Sequence, residues 1–503
     1  MLVIRGATVY PGDTSPRQMD VGVAEGKVVA PGDLPNESDG TEVVEADGLW
    51  LCPGFIDLHG HTALRTYDDP LLPEVLAQGV TTQVICPDGL APAPVAAGRQ
   101  AERRDYLRAL EGSGPDPWPW TSFAEYLEAL DATQPAISLV PSIGHGAVRD
   151  TVLGGERRPA TPEELEDMRR EVRAGFEAGA TNLSFGLVYL PGAHADTGEL
   201  VAVAEVAAEF GAPLVPHVRN EAGGVLEAID EMLDVSNRSG ASLHVSHLKS
   251  LEDEELIEPL LEKLAGSQGV TFDQYPYGAG CTLLASLLPA WAQEDGAAAT
   301  LARLRDPDTV ARISHDVELG LPGWENMLGT LGPERIVVDG KTLADRGGDP
   351  VETVAELLLE SELGAQMIVH YGSREAIRRI AAHPLMLLGS DGIFGEHPHP
   401  RVAGSAARFL GRFAIREHVV SPEEAIARLT ARAADRFGLA DRGRIDVGKR
   451  ADLVLLDPMA YVDTATYEEP LRLAEGVEGV WVAGERAWAA GEPTGARAGG
   501  VVR

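Results

Sequence analysis

The stretch FIDLHGH, residues 55–61, decides the fold. Phe55, Ile56 and Leu58 make a short apolar run that ends on two histidines one residue apart. This is the pattern of a buried strand delivering polar side chains at its carboxyl end. Seven more runs of the same style follow: TTQVIC (81–86), ISLVPSIGH (137–145), NLSFGL (182–187), LVPHVR (214–219), LHVSHLK (243–249), VTFDQYP (270–276) and LMLLGSD (385–391). Helical patterns lie between them, among them PEELEDMRREVRAGFEAGA and ELVAVAEVAAEFGA, each running into a glycine near its end. Strands alternating with helices predict parallel βα units, and eight of them predict an α/β fold of the TIM-like (β/α)8 barrel type.

Outside this region the style changes. MLVIRGATVY, DVGVAEGKVVA and EVVEADGLWLCPG before it, and GRIDVGKRADLVLLD and GVEGVWVAGERAWAAGE after it, read as short strands separated by turns. The expected organisation is a β-sandwich built from both termini, residues 1–52 and 436–503, flanking a barrel over 53–435. A barrel core needs about 250 residues, so insertions are required. The largest is expected at about 280–380, where RIVVDG and QMIVH are strand-like pieces of a cap.

The chain has 503 residues, of which 44% are hydrophobic, enough for a sizeable core. Its net charge of −36 repels phosphate backbones and anionic lipids, which argues against nucleic-acid and membrane roles and for a small-molecule substrate. Neither a signal peptide nor a run of about 18 apolar residues is evident, and three cysteines are too few for a disulfide framework. The expected location is the cytoplasm; a homo-oligomer is left open.

In a parallel barrel the strands' carboxyl ends form the active-site mouth. His59 and His61 end the first run, and side chains two apart on a strand face one way, so both can reach one ion. His217 ends the fifth run, His244 and His247 the sixth and Asp391 the eighth. On a strand His244 and His247 face opposite ways, so only one is expected as a ligand, and spacing does not choose. His145 and His370 are weaker candidates, for substrate contacts. Imidazoles and carboxylates with an open position suit Zn²⁺. A carboxylated lysine often bridges two metals in such sites, but no lysine lies between Lys27 and Lys249. Cys86, at the end of the second run, is the expected substitute.

The motifs PGFIDLHGHT, FGLVYLPGAHADTGEL, HVRNE, VSHLKS, FDQYPYGAG, GSDG and HPRVAG resemble the amidohydrolase superfamily, and within it the N-acyl-D-amino-acid deacylase (D-aminoacylase) family, over nearly the whole chain. The resemblance implies zinc. It selects His247 over His244 and pairs it with His217 and Cys86 in a tight site. His59, His61 and Asp391 then form a second, weaker one. It implies that Lys249, Tyr275 and Arg401 hold the substrate carboxylate. Two departures stand out. ICPDG here combines the NCG of one branch with the GQDG of another, leaving Cys86 and Asp88 as alternatives, and Gly280 stands where a serine is common.

The expected reaction is zinc-dependent hydrolysis of an N-acyl-D-amino acid to a carboxylate and a free amino acid, with Asp391 as the catalytic base and later acid. A cyclic amide or imide hydrolase of hydantoinase or dihydroorotase type, a dipeptidase, and an inactive scaffold are the rival readings.

Overall fold

The computed structural model describes residues 1–34, 40–251, 253–395 and 397–503. Eight strands form the barrel: β1 (Phe55–Gly60), β2 (Val80–Ile85), β3 (Ser138–Gly144), β4 (Asn182–Gly186), β5 (Leu214–His217), β6 (Leu243–Val245), β7 (Val270–Gln274) and β8 (Met386–Leu388). Each pairs in parallel with the next in order. Between β8 and β1 the ring closes just beyond the strand ends, where Asp391 N–H donates to the His59 carbonyl at 2.8 Å and His61 N–H to that of Gly392 at 3.2 Å. The strands are buried on both faces, which explains their near-continuous apolar reading.

Outside the barrel the helices obey their local signals. Thr161 and Glu164 form a reciprocal cap at the start of Pro162–Ala178, and Gly179 ends that helix. Asp196 caps Thr197–Glu209. A separate apolar cluster joins Ile56, Leu58, Val84, Val140, Val215 and Leu387 of five strands to Phe437 and Leu439.

Both termini contribute to a small sheet pair. One sheet holds Leu2–Arg5, Val21–Ala24, Lys27–Val29 and Glu42–Glu45; the other joins an N-terminal block, with Thr8–Val9 and Trp50–Pro53, to a C-terminal block, with Leu453–Leu456 and Val477–Val482, through the antiparallel pairing of Trp50–Pro53 with Leu453–Leu456. Leu2, Ile4, Val21, Leu51, Leu453 and Trp481 pack between them. The last strand, Gly500–Val501, leaves this layer and pairs with β3.

Two insertions shape the mouth. Between β7 and β8 a four-stranded sheet (Ala279–Leu283, Ile336–Val338, Lys341–Thr342 and Gln366–His370) and several helices form the cap. Between β2 and β3 the helices Gln100–Glu111 and Phe123–Asp131 form a second insertion that the sequence reading does not mark. Among the described residues no helix is long and apolar enough to cross a membrane.

Candidate metal centre and substrate pocket

The loop after β2 carries both Cys86 and Asp88 and turns them different ways. Cys86 and Asp88 both have left-handed backbone, at φ 59° and 55°, followed by Gly89 at 67°. A hydrogen-bonded brace holds this coil: Ser184 Oγ donates to the Cys86 carbonyl at 2.9 Å and accepts from Gly89 N–H at 3.2 Å. The close approach also needs Gly186, where a Cβ would lie 1.9 Å from the Asp88 carbonyl oxygen. The same coil turns Cys86, expected as a ligand, toward the protein interior. Its sulfur packs into the main core 3.7 Å from the Tyr126 hydroxyl, burial pushes its thiol pKa well up, and it stands outside both ligand groups.

Asp88 takes the central place. His59, His61, Asp88 and Asp391 form one group able to hold an ion, and Asp88, His217 and His247 a second. Asp88 Oδ2 is 3.5 Å from His59 Nε2 and 3.7 Å from His61 Nε2. Its Oδ1 is 3.5 Å from His247 Nε2 and 3.9 Å from His217 Nδ1. Asp391 Oδ1 lies 3.3 Å from His61 Nε2. One carboxylate thus presents one oxygen to each group.

Strand alternation does not apply to the choice between His244 and His247, because β6 ends at Val245 and His247 follows in left-handed backbone at φ 33°. His244 is tied to Asp273 at 3.1 Å and to Thr271 Oγ1 at 2.7 Å, away from both groups. His145 pairs with Glu199 at 2.8 Å and His370 is exposed beside Tyr467, so neither joins the centre.

Carboxylates behind the histidines orient them. Glu111, from the second insertion, lies 2.6 Å from His61 Nδ1; Glu221 lies 3.0 Å from His247 Nδ1; Asp273 accepts from His247 N–H at 2.9 Å and sits 3.8 Å from His59 Nδ1. Such partners fix the ring tautomer and turn the free nitrogen toward a metal. Spacing offers no signal for these three acids, which belong to different segments.

The charges fit a cation. Burial opposes a charged His61, yet Glu111 and Asp391 lift its pKa to about 9. Burial likewise opposes charge on His59, but Asp88, Asp273 and Asp391 raise it well above its usual value. Burial would raise both carboxyls, but Arg401 and His59 hold Asp391 low, and His59 and His247 hold Asp88 low. His217, chiefly through burial, falls to about 4, the neutral form a metal needs. Both its ring nitrogens, His61 Nε2 and Asp88 Oδ1 are buried without hydrogen-bond partners. Unpartnered imidazole nitrogens and an unpartnered carboxylate oxygen facing shared space are what a divalent ion of the zinc class would satisfy, its charge displacing the protons that the surrounding carboxylates otherwise hold on His59 and His61.

Beside this centre opens a cavity of about 440 Å³. Arg401 is buried, 2.8 Å from Asp391 Oδ2, with its guanidinium 4.5 Å above the Tyr275 ring. Lys249 Nζ lies 2.7 Å from both Glu221 oxygens. Gly280 leaves room here, since a Cβ would come within 3.1 Å of Tyr275 Oη and 3.8 Å of Arg401 Nη1. The cap supplies Leu288, Trp291, Trp324, Met327 and Tyr371 to the lining.

A (β/α)8 barrel whose strand ends carry four histidines and two aspartates in linked groups defines a metal-dependent hydrolase centre. The chain belongs to the amidohydrolase family, whose profile matches residues 42–487. It is 32% identical to the N-acyl-D-aspartate deacylase of Alcaligenes xylosoxydans xylosoxydans, over 99% of this chain and 94% of that one. The crystal structure of N-acyl-D-glutamate deacylase from Bordetella bronchiseptica, complexed with zinc and a phosphonate mimic of the tetrahedral intermediate, superimposes with TM-score 0.83 at 30% identity, covering 100% and 99% of the two chains. A D-aminoacylase structure from a study of its binuclear metal centre, described by one-metal activation and second-metal attenuation, matches with TM-score 0.82 at 28% identity and the same coverage.

Proposed function

We propose that this protein hydrolyses the amide bond of N-acyl-D-amino acids with zinc, the substrate side chain being neutral. The observation that carries the reading is the adjacency of two cations, Arg401 and Lys249, to the linked ligand groups. A carboxylate held there places the amide, joined to it through the single Cα, beside the ligand groups. The D configuration rests on the names of three relatives, an N-acyl-D-aspartate deacylase, a D-aminoacylase and an N-acyl-D-glutamate deacylase.

The ligands proposed are His59, His61, Asp88, His217, His247 and Asp391, with Asp88 as the bridge where Cys86 was expected. Zinc, when bound, supplies a Lewis acid for the amide carbonyl and an acidified water. Arg401 grips the substrate carboxylate through its planar fork, Tyr275 stacks beneath that fork, and Lys249 adds charge. Asp391 takes the water's proton and returns it to the departing amine nitrogen.

An acidic side chain would need a further free cation. Among the described lining residues Arg219 is the remaining one, and it is held by Glu231 at 2.9 Å and by the carbonyls of Ala193 and Ala195. Leu288, Trp291, Trp324 and Met327 favour apolar groups instead. The test is a zinc-supplemented screen of N-acetyl-D- and N-acetyl-L-forms of leucine, phenylalanine, aspartate and glutamate, beside hydantoins and isoaspartyl dipeptides. Turnover of neutral D substrates is expected. Turnover confined to hydantoins or dipeptides would overturn the reading.

A further inference from the structure

Glu325 lies in the cap loop between Pro307–Leu319 and Met327–Leu331, beside Trp324 and Met327 of the pocket lining. Its Oε1 accepts a hydrogen bond from the Glu221 backbone N–H at 2.6 Å. Glu221 links several groups near the centre. Its side chain holds Lys249 Nζ at 2.7 Å and His247 Nδ1 at 3.0 Å, and lies 3.7 Å from His217 Nε2, while its carbonyl accepts from Leu251 N–H at 2.8 Å. The cap loop itself is shaped for this reach. Asn326, at φ 36°, caps Met327–Leu331 through its side chain and donates to the Val317 carbonyl at 2.8 Å, fixing Glu325 on a braced turn.

We infer that Glu325 is a positioning residue: by docking on the Glu221 N–H it closes the cap loop over the pocket and fixes the carboxylate that orients both Lys249 and His247. The inference rests on the amide-hydrolysis reading for its kinetic consequence, though not for the docking itself. A cap-to-barrel hydrogen bond at the one residue serving both a substrate-binding lysine and a metal ligand couples closure to assembly of the site.

The electrostatics add a direction. Burial and the Glu221 charge push the Glu325 carboxyl up to about 7, outweighing the Glu221 N–H hydrogen bond, Lys249 and His247, which act in the opposite sense. A raised acid favours the docked loop while neutral. Docking therefore weakens as pH rises from the ordinary carboxyl value, about 4.5, towards 7, and levels off above it.

The experiment compares Glu325→Ala and Glu325→Gln in the zinc-loaded protein. The amide of glutamine keeps an oxygen acceptor without the charge. One neutral hydrogen bond is worth about three- to tenfold in an equilibrium. Hydrogen exchange of the Glu221 amide, without substrate, is expected to quicken by about that factor in the alanine variant and stay protected in the glutamine one. In the metal-free protein, protection corrected for intrinsic rate should fall between about pH 5 and 7 in the native chain and stay flat in the glutamine variant. With an N-acetyl-D-amino acid, KM should rise in the alanine variant by a similar factor and return towards native with glutamine. Equal Glu221 protection in native and alanine proteins, or an unchanged KM, overturns the inference. If no N-acyl amino acid is turned over, the functional reading fails, whereas the exchange result and the zinc affinity of the alanine variant still decide this one.

Discussion

Cys86 and Asp88 lie two residues apart in left-handed backbone, yet one buries its sulfur beside Tyr126 and the other places a carboxylate oxygen in each ligand group. The two side chains thus face the core and the candidate metal centre within one turn. Asp88→Ala should therefore strip zinc from both groups and abolish turnover. Cys86→Ala should retain full zinc content and cost roughly 1 kcal/mol of stability, the common range for a small core truncation. Metal analysis with thermal unfolding separates them; loss of zinc in the cysteine variant would return the sulfur to the centre.

The barrel and most of the centre were legible in the sequence because both depend on short-range rules. A strand buried on two faces announces itself by apolar runs, and the topology sends every run's end to one mouth. That is how His59, His61, His217 and Asp391 could be brought together on paper. Asp88 was placed behind Cys86, as its alternative, because departures into left-handed backbone on either side of Pro87 leave no mark in hydrophobic periodicity. Glu111, Glu221 and Asp273 went unread for a different reason: each matters only through a histidine on another segment, a relation that exists after folding.

Asp391→Asn tests the base. The neutral amide keeps one oxygen toward His61, and Asp88, His217 and His247 form their group without it. Zinc in that group should persist while kcat falls by about a hundred- to ten-thousand-fold, the usual contribution of a positioned general base. Near-native turnover would exclude Asp391 from proton transfer.

Glu111→Gln probes the carboxylate behind His61 Nδ1, 2.6 Å away. The amide preserves volume but removes the charge that supports the ring. Affinity in the His59, His61 and Asp391 group should weaken about ten- to hundredfold, the typical loss for such partners, with the His217 and His247 group little changed. A zinc titration resolving two classes of site would show one moving alone. Equal weakening of both would mean that Glu111 supports the whole loop rather than one ligand.

Arg401 is the sharpest test of how substrate is held. Its guanidinium is buried, stacked on Tyr275 and 2.8 Å from Asp391, so it is fixed before substrate arrives and loses little freedom on binding. Lysine at this position keeps the charge but loses the planar fork and the stack. Arg401→Lys should raise KM by about tenfold or more, since a charge-assisted hydrogen bond carries roughly 1.5–3 kcal/mol. Converting the substrate carboxylate to a primary amide should impose a penalty of the same kind on the native enzyme. In the lysine variant the same change should cost clearly less, because the shared interaction is already lost. If the two penalties simply add, the substrate carboxylate binds elsewhere, and Lys249 becomes the residue to test by the same cycle.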